Sequence, residues 1–73
     1  MQRYIIVCED RYVAAYQPDT RIVSLTGIRE DAGSWVTYER VVEAARAVAQ
    51  WSGSPVAIHA VEEPNYPKSW LKV

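Results

Sequence analysis

The chain is expected to fold as one α+β domain, residues 1–73, with the element order β-β-β-α-β. An antiparallel meander is followed by one helix packed on a single face and then by a fourth strand, with a short C-terminal tail or edge strand. Three observations predict this. Three short runs rich in β-branched and aromatic residues precede Gly27 and are parted by turn chemistry. One stretch of helical period follows, and one more apolar run comes after it.

The first strand is Arg3 to Cys8, stopped by Glu9-Asp10. That apolar run is too short for a signal-peptide core or a bilayer span. The second and third strands, Tyr12 to Gln17 and Arg21 to Thr26, flank Pro18-Asp19-Thr20, a tight-turn sequence. Gly27 to Trp35 is the longest internal loop, with Arg29-Glu30-Asp31 and Gly33 at its centre. The helix spans about Tyr38 to Ser52. Thr37 is placed as its N-cap, Val36 and Val41 occupy hydrophobic-staple positions, and Gly53 and Pro55 end it. At 100° per residue Val41, Val42, Ala45, Val48 and Ala49 share a face, opposite Glu39, Glu43, Arg46 and Gln50. Val56 to Val61 is the fourth strand, and the tail from Pro64 carries Tyr66, Trp70 and Leu71.

A right-handed crossover through the helix would run the fourth strand parallel to the first and third. The acidic pairs Glu9-Asp10, Glu30-Asp31 and Glu62-Glu63 would then gather on one rim beside the helix N-terminus, whose positive dipole end favours carboxylates. Arg11 and Arg29 partly neutralise that rim, and Arg3 and Arg21 fall at the opposite end of the sheet.

Alternation assigns Ile5, Val7, Val13, Ala15, Val23 and Leu25 to the face beneath the helix, with Val56, Ile58 and Ala60. The second face then carries Tyr4, Ile6, Cys8, Tyr12, Ala14, Tyr16, Ile22, Ser24 and Thr26, with Ala57, His59 and Val61. Three covers compete for it: the tail through Tyr66, Trp70 and Leu71, a second copy in a homodimer, or single-stranded nucleic acid stacked on Tyr4, Tyr12 and Tyr16.

The balance of eight basic against nine acidic residues, net charge -1, argues against general capture of a nucleic-acid backbone. With Cys8 the sole cysteine, neither an intramolecular disulfide nor a cysteine zinc cage can form, and a reducing cytoplasm is the expected setting. The sole histidine, His59, lacks a positioned partner for general-base work and reads as a mid-strand residue, as Cys8 reads as a buried one. The glycines at 27, 33 and 53 do not space as a phosphate loop, and Arg29 to Ser34 offers too few oxygens for calcium. No catalytic residue, cofactor or metal is therefore expected. Trp51, with Arg40, Ala44 and Ala47 on one helix flank, reads first as a core-margin residue and otherwise as an interface anchor.

Trp35-Val36-Thr37, Ala44-Ala45, Val48-Ala49 and Gly53 to Ile58 together resemble the helix-to-strand segment of small α/β proteins of phages and mobile elements. Among these are the anti-CRISPR inhibitors. The resemblance covers about a third of the chain and implies a non-catalytic inhibitor that occludes a surface of a larger effector. The expected function is thus a small binding protein meeting a basic surface on a larger protein or nucleoprotein complex. The expected contacts are Glu9, Asp10, Glu30, Asp31, Glu62 and Glu63, with Trp35 and Trp51. A nucleic-acid-binding or regulatory module using the tyrosine face is the alternative. A homodimer is a further partner, and no membrane is involved.

Overall fold

The computed structural model describes residues 2–62, 65–67 and 70. Its elements are β1 (Gln2–Cys8), β2 (Arg11–Gln17), β3 (Ile22–Thr26), a 3-10 turn at Arg29–Asp31, α1 (Tyr38–Ser52) and β4 (Val56–Glu62). The four strands form one antiparallel sheet in the order β3-β2-β1-β4, with α1 packed against it over β1 and β4.

The helix has the expected bounds. Thr37 is its extended N-cap residue, although its side chain makes no cap hydrogen bond, and Gly53 ends it at φ 70° with its N–H on the Ala49 carbonyl. Only glycine enters that left-handed region freely. Val36 stays 53% exposed, so the staple position is not buried. In the β1–β2 hairpin Cys8 pairs with Arg11 across Glu9-Asp10, and Glu9 takes a positive φ of 57°. A non-glycine residue there holds about 1 kcal/mol of backbone strain.

β1 and β2 stay paired only at Val7–Tyr12 and Cys8–Arg11. Beyond that, a bulge between Val13 and Ala15 bends β2 away. The gap is filled by the segment expected to be loop. Gly33 donates its N–H to the Val13 carbonyl at 2.9 Å, and Trp35 and Tyr4 exchange backbone hydrogen bonds of 2.8 and 2.9 Å. Buried backbone groups need such partners, and here residues 33–35 act as a short inserted strand. Ala32 belongs to the cluster on one side of the sheet and Trp35 to the cluster on the other. The chain therefore crosses from face to face through the opening between β1 and β2.

This crossing decides the direction of β4. The chain has already descended to the Tyr4 end of β1 before α1 begins, where the Tyr38 and Tyr4 rings meet at 5.4 Å. The helix climbs back to the hairpin end, where the Ser54 hydroxyl donates to Glu9 Oε1 at 2.9 Å. β4 must then run down, and it pairs antiparallel to β1 from Cys8–Val56 to Gln2–Glu62. The expected parallel crossover is overturned, because it counted Gly27 to Trp35 as a loop that stays at one end.

Face assignments change with it. Beneath α1 lie Ile6, Cys8 and Val13, packed on Val41, Ala44, Ala45 and Val48, with Tyr4, Tyr16, Val23, Leu25, Val56 and Ile58 half-buried around them. Ile5 sits on the other face with Ala32, Val61 and Tyr66. Ile5 and Val7 were expected beneath the helix and Ile6 and Cys8 away from it; the parity of β1 is the reverse. Ala15, also expected in the core, is exposed because the bulge shifts β2 by one residue beyond Val13.

Tyr66 and Trp70 of the tail cover part of the second face, over Ile5, Ala32 and Val61, while Ala57 and His59 stay exposed on it. Tyr66 is buried and Trp70 half-buried, their ring centroids 5.6 Å apart. Arg3 stands over the Tyr66 ring at 6.0 Å and Arg29 over Trp70 at 5.7 Å. Such cation–π contacts are worth about 0.5–1 kcal/mol each at exposed sites. Leu71 lies outside the described residues.

Candidate functional site

The antiparallel β4 carries Glu62 away from the other two acidic pairs. Glu9 and Asp10 form the β1–β2 turn, beside the C-terminal end of α1 rather than its N-terminus. Glu30 and Asp31 sit in the 3-10 turn on the tail side. Glu62 pairs with Gln2 at the opposite end of β1. Glu63 lies outside the described residues. The single rim does not form, and its dipole argument lapses because Glu9 faces the negative end of the helix.

The tyrosines divide as well. Tyr4 and Tyr16 pack on the helix side and Tyr12 on the tail side, all half-buried. The alternative nucleic-acid module loses the shared face on which its bases would stack. His59 is exposed in β4, and Cys8 is buried at 2% exposure. Among the described residues no cluster of three His, Cys, Asp or Glu side chains is placed to hold a metal ion.

What the fold does build is a depression beside α1. The helix covers β1 and β4, while the bulged β2 carries the β2–β3 hairpin out past its flank. The space left between them has two adjoining parts of about 670 and 480 Å³, which share Tyr16 and Glu43. The larger is lined by Arg21 from the β2–β3 turn and by Val42, Arg46, Ala47 and Trp51 from the helix. The smaller is lined by Pro18, Trp35, Arg40 and Ala44. Both tryptophans named from the sequence thus border it: Trp35 half-buried on the helix-side core, Trp51 exposed at 55%. The core-margin placement of Trp51 is corrected, since the sheet beneath that flank has turned away.

The floor is apolar and the walls are charged. Val42, Ala47, Tyr16 and the two indoles supply the contact area. Arg21, Arg40 and Arg46 stand around Glu39 and Glu43. An arrangement of this kind can hold an inserted apolar side chain and fix its orientation by charge.

No family model, curated protein or solved structure matches the chain. The depression is therefore characterised by its own residues. Trp35, Trp51, Arg40, Ala44 and Ala47 were already marked in the sequence, whereas Tyr16 and Arg21 were missed as their neighbours. No local signal marks those two, because their place depends on the bulge and on the splay of β1 from β2. Among the described residues no helix is long and apolar enough to cross a membrane.

Proposed function

We propose that the chain is a small non-catalytic binding protein whose partner, a larger protein or nucleoprotein complex, docks in the depression between α1 and the β2–β3 hairpin. The observation that carries this is Trp51, 55% exposed at the border of a concavity it shares with Tyr16, Arg21 and Arg46. Tryptophan, tyrosine and arginine dominate the binding energy of protein interfaces when they surround a pocket that a partner can dry. The partner element is an apolar side chain set between carboxylates, because the arginines outnumber the glutamates around the depression. That replaces the basic partner surface which a carboxylate rim would have required. An inhibitor of a CRISPR-type effector complex is the form of this proposal that the resemblance implies, with the effector's protein surface as the docking partner.

A photo-reactive phenylalanine analogue at position 51 identifies the partner by covalent capture, and the purified partner then serves for titration. Trp51→Ala should weaken binding by about 2 kcal/mol, roughly thirtyfold, while leaving the unfolding midpoint nearly unchanged because the side chain is exposed. The combined Glu30→Gln, Asp31→Asn and Glu62→Gln variant should bind as the parent does. The opposite pattern, with binding lost on neutralising those carboxylates and kept without Trp51, would return the site to the acidic residues.

A further inference from the structure

We propose that the outer edge of β4 joins a second copy of this chain, antiparallel about His59, into one continuous sheet. This does not rest on the depression beside α1, which lies on the opposite flank of the molecule.

The hydrogen-bond directions follow from the inserted strand. The backbone N–H and C=O of Tyr4 are both taken by Trp35 on the β2 side. The Tyr4–Ala60 pair is therefore a non-hydrogen-bonded pair of the β1–β4 ladder, because in an antiparallel ladder such pairs alternate with bonded ones. It follows that Ala57, His59 and Val61 bond inward to β1, while Val56, Ile58, Ala60 and Glu62 aim their backbone groups outward. The Glu62 carbonyl agrees with this direction: it accepts from the Asn65 N–H at 2.8 Å, outside the ladder. Among the described residues no strand lies beyond β4.

Edge strands are normally blunted by proline, lysine, a bulge or short length. β4 has none of these. It pairs with β1 over its full length without a register shift, and between Val56 and Val61 it carries no proline and no Lys, Arg, Asp or Glu. The other edge is protected. β3 has five residues, its partner β2 is bulged, and Arg21 at its start has a positive φ of 56°.

The strand is also complementary to itself. Antiparallel pairing about His59 sets Ile58 against Ala60 of the second copy and Ala57 against Val61 of the second copy, large against small each time. The outward-bonding residues meet outward-bonding residues, and each face stays continuous. A second copy fits better than a foreign strand because of where the helix lies. α1 sits over β1 and β4. With strands about 4.8 Å apart, its axis stands about 4.8 Å from the two-fold, and the two helices come about 10 Å apart, a normal packing distance. Joining the edges thus also seats helix against helix.

The test is light scattering and sedimentation of the full chain at concentrations up to about 1 mM, with two variants. The parent should show twice the chain mass of 8.3 kDa. Ala60→Pro removes an outward N–H and no bond to β1, so it should give a monomer with unchanged circular dichroism. His59→Cys places two thiols in a close non-hydrogen-bonded pair and should form a disulfide-linked dimer under mild oxidation; Ala57→Cys should not. A parent that stays monomeric throughout, or a dimer that cross-links through Ala57→Cys and not through His59→Cys, overturns the proposal.

Discussion

Ile6→Ala is expected to destabilise the domain by about 2–5 kcal/mol, enough to leave much of the chain unfolded, since a domain of this length holds on the order of 4–11 kcal/mol. Ile6 is fully buried, at 0% exposure, and pairs with Ile58 beneath α1. Its truncation leaves a cavity between sheet and helix that packed neighbours close only in part. The control is Ile22→Ala, where the side chain is 55% exposed and the change should stay within about 0.5 kcal/mol. Urea unfolding of both reads the difference. A mild Ile6→Ala beside a damaging Ile22→Ala would contradict the burial of Ile6 beneath α1.

Gly33→Ala is expected to cost about 2–3 kcal/mol and to lower the melting temperature by about 10–20 °C. A Cβ at this position would stand 2.5 Å from the Ala14 carbonyl oxygen and 3.2 Å from its carbon. Those are backbone atoms of the bulge, which cannot swing aside as a side chain does. Relief requires residues 33–35 to leave the gap, so amide protection at Tyr4 and Trp35 should fall together. Gly27→Ala, with nothing within 4 Å of its new Cβ, should be neutral or stabilising by up to about 1 kcal/mol. Equal effects at the two glycines would contradict the close approach.

These two positions also mark where the sequence stopped being informative. The helix was legible because its cap residue, apolar period and glycine exit all lie within one local stretch, and its observed bounds agree. The second and third strands were legible from the turn between them. β1 was not oriented by its pattern, because Tyr4-Ile5-Ile6-Val7-Cys8 is apolar at each position and is buried on both faces. The inserted strand is three residues long, Gly33-Ser34-Trp35, and two of these have little strand preference. It exists because β1 and β2 diverge, which is a long-range property. The direction of β4, the dispersal of the acidic pairs and the exposure of Trp51 all follow from that one unread feature.

The antiparallel pairing of β4 on β1 is the claim on which the separation of Glu62 from the other carboxylates and the open edge jointly depend. Nuclear Overhauser spectroscopy of the labelled chain tests it most directly, because non-hydrogen-bonded antiparallel pairs bring their Hα atoms together. Strong Hα–Hα cross-peaks are expected for Tyr4 with Ala60 and for Ile6 with Ile58, in the observed register. Their absence, with contacts joining Gln2 to the Val56 end of β4 instead, would establish a parallel β4, return Glu62 to the end of the sheet that holds Glu9 and contradict the self-complementary edge.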